Sequence, residues 1–246
     1  MNRFCRIEQL IGRPALAKLK NARVAVFGLG AVGSYAVEAL ARAGIGYLRL
    51  VDCDVVRPSN FNRQLYALES TLNRPKVEVA RARVLDINPA CTVEAHRTFV
   101  DGSTAPALLE QPLDVVVDAI DGVASKVTLI ATAVNSGLKV VASMGAATRL
   151  DPSKIRVGDI SETDVCPLAK FVRKKLRAAG VARGVRCIYS VEPPRNTPPP
   201  AATEPETFAR GRSRQPIGSL SYATGMFGLL AACEAIKMIV PLDGSV

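Results

Sequence analysis

Residues 24–54 read VAVFGLGAVGSYAVEALARAGIGYLRLVDCD, and this stretch decides the fold. Its first four residues are apolar and predict a buried strand. Gly28, Gly30 and Gly33 follow at G-x-G-x-x-G spacing, and Val32, Ala36, Val37, Leu40 and Ala41 then recur at helical spacing. A second apolar run, 47–51, ends on Asp52. Strand, glycine turn, helix, strand and acid in that order describe a nucleotide-binding βαβ unit. Gly28 permits the tight turn, Gly30 lets backbone N–H groups approach a phosphate, and Gly33 lets helix and strand pack closely. Asp52 can accept hydrogen bonds from ribose hydroxyls. The expected fold class is α/β: a Rossmann-like, mostly parallel sheet flanked by helices, with a less regular C-terminal portion.

The glycines leave the nucleotide open, and the downstream residues narrow it. The acids Asp52 and Asp54 lead into SNFNRQ at 59–64, with Lys76 twelve residues beyond Gln64; VVVDAID at 115–121 places Asp118 and Asp121 at the end of another predicted strand. An enzyme that moves a carboxylate onto the α-phosphate of ATP needs such a set. Arg63 and Lys76 would face the phosphates, Asn60 and Gln64 would hydrogen-bond beside them, and Asp121 would hold magnesium. Asp118 reads better as a residue that stabilises the turn.

With these motifs the chain resembles the ThiF/MoeB superfamily of ATP-dependent carboxylate-activating proteins. Within it the chain is most similar to the tRNA threonylcarbamoyladenosine dehydratases, through Arg3-Phe4, ARAGIG at 41–46, INPAC at 87–91, DAID at 118–121 and VRCIYSVEPP at 185–194. The resemblance implies one adenylating domain over 1–246, with a nucleotide-binding core at 1–150 and a C-terminal portion at 151–246. It implies ATP and Mg2+ as cofactors, tRNA rather than DNA as the nucleic acid, and cyclisation of the modified adenosine through an adenylated carboxylate. It also implies a homodimer in which an N-terminal arginine, Arg3 or Arg6, reaches the ATP phosphates of the neighbouring subunit, and it admits a sulfur-transfer protein as a further partner. Two other functions stay open: adenylation of a ubiquitin-like sulfur carrier, and a non-catalytic, nucleotide-gated binding protein. A redox Rossmann enzyme ranks last.

Composition fits this frame. Of 246 residues, 32 are Lys or Arg and 22 are Asp or Glu, a net charge of +10 that favours an anionic partner. The six cysteines form no C-x-x-C pair, so the zinc site of many relatives is not expected. Residues 1–9 are charged and lack the apolar stretch of a secretory signal, so a cytoplasmic location is expected.

The remaining readings are local. Pro75 is placed to start a helix at 76–87; His96, the only histidine, reads as a structural residue. Small residues at 145–148 either border the substrate carboxylate or simply turn the chain. Residues 154–160 read as a short strand, RCIYSVE at 186–192 alternates like a strand, and 167–179 reads as a helix within a strongly basic segment. That segment is either a solvated face or a phosphate-binding one. Cys187 reads either as a nucleophile that takes the activated acyl group, its pKa lowered by Arg186, or as a buried structural cysteine. Residues 193–216, rich in proline and charge, are expected to form a mobile crossover loop. The apolar run 218–240 is expected to be a helix packed on the sheet or at a dimer interface, a membrane span being the less favoured reading.

Overall fold

Strand β1 (Arg23–Phe27) is an interior strand of the sheet, with its last four residues buried. Covering both faces of a strand is what a parallel sheet requires. The computed structural model describes residues 3–110, 112–195, 206–208, 212–214 and 217–242. Helix α1 (Cys5–Asn21) precedes β1, and α2 (Gly33–Arg42), β2 (Tyr47–Val51), α3 (Lys76–Ile87) and β3 (Thr92–His96) follow it. Next come α4 (Ala105–Leu108), β4 (Val115–Asp118), α5 (Val123–Asn135), β5 (Lys139–Ser143) and β6 (Ile155–Asp159). The described chain continues through α6 (Pro167–Ala178), β7 (Val185–Ser190), a short antiparallel pair β8 (Glu206–Phe208) and β9 (Arg212–Arg214), and α7 (Ser221–Ile239).

Seven strands form one sheet in the order β3-β2-β1-β4-β5-β7-β6. All neighbours pair in parallel except β6 and β7. The chain therefore leaves β1 in one direction for β2 and β3, and in the other for β4, β5 and β7. The crevice at that reversal, at the carboxyl ends of β1 and β4, is where open α/β sheets bind ligands. Successive side chains of β1 serve two cores. Val24 and Val26 pack with α2, α3 and α7, whereas Ala25 and Phe27 pack with α5 and α6 on the other face.

Helix α7 lies on α2 and on β4, β5 and β7. Phe227, Ala231 and Ala235 are fully buried, while Tyr222, Met226 and Leu229 face outward. It is the one described helix long and apolar enough to cross a membrane, yet half of that stretch is inside the fold. Its buried Glu234 is paired with Arg186 of β7 at 2.7 Å and with Lys237 at 3.0 Å. The two charges that interrupt the apolar run thus belong to one ion-pair network in which Glu234 is buried and its two cations reach solvent.

Helix α1 begins at Cys5 and breaks at Gly12, where φ is +79° ahead of Pro14. Most of the segment 193–216, expected to form a mobile crossover loop, lies outside the described residues. The described parts form the β8–β9 pair, which no alternation in the sequence announces.

Candidate functional site

A cavity of about 520 Å³ opens at the carboxyl ends of β1, β2, β4 and β5. Three helices point their N-termini at it. Val32 ahead of α2, Pro75 ahead of α3 and Gly122 ahead of α5 each lack a side-chain cap. The first turns of α2 and α5 leave backbone N–H donors for something else, whereas in α3 the Lys76 and Glu78 N–H groups already donate to the Asp54 and Pro75 carbonyls; the aligned helix dipoles favour an anion there.

The glycine turn is built as its spacing requires. Gly28 has φ +85°, and a Cβ on it would lie 2.7 Å from the Ala119 carbonyl oxygen. A Cβ on Gly33 would fall 1.7 Å from the Gly28 oxygen, so α2 can close onto the strand only through a glycine. Gly33 lies behind the cavity wall, whereas Gly28 and Gly30 line it. The nearest neighbour of a Cβ on Gly30 would be the Gln64 side-chain nitrogen at 3.7 Å, which places that amide over the turn.

Asp52, Asp54, Asn60, Arg63, Gln64, Lys76 and Asp121 all line the same cavity. The Asp52 carboxylate accepts the Leu29 N–H at 2.6 Å and the Asp54 N–H at 2.8 Å. It therefore fixes the glycine turn itself, in addition to any ligand bond it makes. Burial raises its pKa above the ordinary aspartate value, with the Lys76 charge pulling the other way. Lys76 is buried in the first turn of α3, 3.5 Å from Asp54. A buried cation at a helix N-terminus opposes the dipole, and Asp54 offsets only part of that cost. Between the two acids, burial and then the neighbouring carboxylates push the Cys53 thiol up to about 12, so it stays protonated.

Arg63 donates to the Ser59 carbonyl at 2.7 Å and to the Asn62 side chain at 2.9 Å. Asn60 is buried and accepts the Arg57 N–H at 3.1 Å. Both residues hold the 3-10 turn Pro58–Asn60 over the cavity. Asp121 stands exposed at the cavity edge. Gly145, Ala146 and Ala147 also line the cavity; Thr148 does not.

Three sequence-named residues fall elsewhere. Cys187 is fully buried in β7, and its sulfur approaches the Val185 carbonyl at 3.5 Å. Burial pushes its thiol far up, and Arg186 turns to Glu234 instead of activating it. Its surroundings are those of a core cysteine. Arg3 donates to the Ile87 carbonyl at 2.6 Å, next to the start of β3 and thus at the opposite end of the sheet from the cavity. Arg6 is exposed on the first turn of α1.

The structure adds residues that the sequence did not single out. Lys126 is completely buried, 2.5 Å from Asp118 and 2.9 Å from the Ser143 carbonyl, so it ties β4 to β5 beneath the cavity. Asp118 also accepts the Ile120 N–H at 3.0 Å. Ser125, Ser219 and Thr224 line the cavity wall, the last two from the approach to α7 and its first turn. Nothing in the sequence separates Lys126 from a surface lysine on a helix. The contribution of α7 depends on a contact across the whole chain.

Comparison with known proteins places this geometry. Residues 4–245 match the ThiF family. The tRNA threonylcarbamoyladenosine dehydratase of Bacillus subtilis is 45% identical over 194 residues, which cover 79% of this chain and 76% of that protein. The Haemophilus influenzae protein of the same name is 36% identical, with 97% and 93% covered. Among solved structures, the Escherichia coli tRNA N6-threonylcarbamoyladenosine dehydratase in complex with ATP superimposes with a TM-score of 0.84 at 33% identity, covering 96% of this chain and 93% of that one. Its AMP complex gives 0.85.

Proposed function

The chain belongs to the ThiF family, and from that premise we propose that it cyclises N6-threonylcarbamoyladenosine in tRNA at the expense of ATP. The observation that carries the reading is the cavity at the reversal of the sheet. There the glycine turn, three helix N-termini without side-chain caps, three cations (Arg57, Arg63 and Lys76) and three carboxylates converge, in a chain matched to the dehydratases along nearly its full length.

The chemistry follows from charge and position. A carboxylate has no leaving group, so its oxygen attacks the α-phosphorus of ATP and pyrophosphate departs. The side-chain nitrogen of the modified adenosine then attacks the acyl carbon, loses its proton, and AMP leaves as the ring closes. One water is lost from the nucleoside as ATP becomes AMP and pyrophosphate. The glycine turn and the α2 N-terminus receive phosphate oxygens. Asp52 accepts from the ribose, and Lys76 and Arg63 offset charge that develops at the α-phosphate. Asn60 and Gln64 hydrogen-bond beside them. The Asp121 carboxylate, a hard oxygen donor at the cavity edge, would hold a magnesium ion, and the ion would neutralise pyrophosphate charge.

The working form is a homodimer in the cytoplasm, with Arg3 or Arg6 of one subunit completing the ATP site of the other. Two features support it. Arg3 sits at the opposite end of its own sheet from the cavity, and α7 turns Tyr222, Met226 and Leu229 outward. Incubation with native modified tRNA, ATP and magnesium, followed by nucleoside mass spectrometry, tests the reaction. Loss of one water mass is expected, and an unchanged mass rejects it.

A further inference from the structure

We propose that the outer face of α6 is the surface that holds the RNA around the reacting nucleoside. This rests on the tRNA reading above and gives it a place on the molecule. Helix α6 buries Ala169, Val172 and Leu176 and turns Lys170, Phe171, Lys174, Lys175 and Arg177 to solvent. At 100° per residue these five occupy one continuous face. The helix, PLAKFVRKKLRA, carries no acid at all. The two acids just ahead of it are engaged locally, Glu162 with the Asp159 N–H and Asp164 with the Val165 N–H.

A helix dipole explains only part of this. Lys175 and Arg177 lie in the last turn, where cations are favoured. Lys170 lies near the N-terminus, where they are not. Phe171 is 61% exposed among these cations, an arrangement that gains nothing within the fold. A flat apolar ring flanked by cations suits unpaired bases and their phosphates, which is how single-stranded RNA loops are held.

The location supports the same partner. Leu168, in the first turn of α6, lines the cavity. Gly145, at the cavity wall, packs against this turn: a Cβ there would be 3.3 Å from the Cys166 sulfur and 3.7 Å from the Leu168 Cβ. The basic face thus starts at the cavity rim and runs outward about 14 Å to Arg177 at the α-helical rise. Arg173 anchors the helix from its inner side by donating to the Thr163 carbonyl and hydroxyl at 2.5 and 2.6 Å. The face is therefore a fixed platform.

The test measures tRNA binding and its salt dependence in wild type, Lys170→Glu with Lys174→Glu, and Phe171→Ala, with ATP affinity as the control for folding. The double variant is expected to bind tRNA at least ten-fold more weakly and to lower the slope of log K against log salt by about 1.5, two lost phosphate contacts. Phe171→Ala is expected to weaken binding at least five-fold with the slope unchanged. ATP affinity should stay within two-fold in both. Wild-type tRNA affinity and slope in the double variant would overturn the proposal and return the face to an acidic protein partner, and so would wild-type protein that shows no salt-dependent tRNA binding. Binding is read apart from turnover. A protein that holds tRNA through this face yet leaves the nucleoside mass unchanged would keep the surface and lose the proposed reaction.

Discussion

Lys126 and Asp118 meet at 2.5 Å with neither side chain exposed, at the carboxyl end of β4. Removing one charge would strand the other in a fully buried site. Asp118→Asn is therefore expected to cost about 3–5 kcal/mol. Replacing both, Asp118→Asn with Lys126→Met, is expected to recover much of that loss. Urea unfolding of the two variants and wild type checks it. A double variant no more stable than the single one would show that the pair does more than satisfy itself.

Lys76→Ala is expected to lower turnover by about 10²–10³-fold, the scale of losing one preorganised charge at the reacting phosphate. ATP affinity should fall by less than about ten-fold, because much of the benefit arises only as charge develops. Pyrophosphate release and ATP binding measured side by side separate the two. Equal losses would make Lys76 a ground-state anchor.

Asp52 gives a pH signature. Its raised pKa means that the folded protein holds this proton more tightly than the unfolded chain does. The fold is therefore not weakened by acid through Asp52; ionising the group as pH rises is what costs stability. Ligand binding has the opposite sense, since the ionised form accepts the ribose hydroxyls. The ratio of wild-type to Asp52→Asn ATP affinity should fall toward one as pH drops, starting above the ordinary aspartate value of about 3.9. Using the ratio cancels titration of the nucleotide, and a ratio flat with pH would take Asp52 off the ribose.

Cys187→Ala should keep turnover within about two-fold and lower stability by about 0.5–3 kcal/mol, the usual range for a core truncation. Steady-state kinetics and thermal unfolding decide it. Abolished turnover in a folded variant would bring the sulfur back into the reaction.

Mixing Arg3→Ala/Arg6→Ala protein with Lys76→Ala protein should restore about one quarter of wild-type activity after full subunit exchange. Half of the dimers are then mixed, and each mixed dimer has one intact site of its two. Verified exchange without recovery would place the arginines in their own subunit's chemistry or outside it.

What the sequence disclosed follows the range over which its signals act. The path from β1 to Asp52 is local: two apolar runs, three glycines and a helical repeat within 31 residues fix both the fold and the phosphate end of the cavity. Arg63, Lys76 and Asp121 were legible because their spacing follows motifs. Lys126 was not, since its burial depends on β5 lying beside β4. The place of β6 outside β7 is likewise a matter of pairing, which alternation along one strand cannot reveal. Cys187 stood between two readings because a strand's alternation does not say whether a helix covers the face that carries it.

One contact has a consequence for the order of synthesis. Gly228 of α7 lies against α2 so closely that a Cβ would be 2.2 Å from the Val32 oxygen and 2.8 Å from the Tyr35 Cβ. The helix that begins at the phosphate turn is thus covered by one made some 190 residues later. On the ribosome the glycine turn emerges early, but α2 keeps an apolar side bare until α7 has been translated and has left the exit tunnel. Nucleotide competence is thereby tied to late translation, and a nascent chain stalled before α7 would present a sticky, half-built cleft to chaperones and proteases in place of a working site.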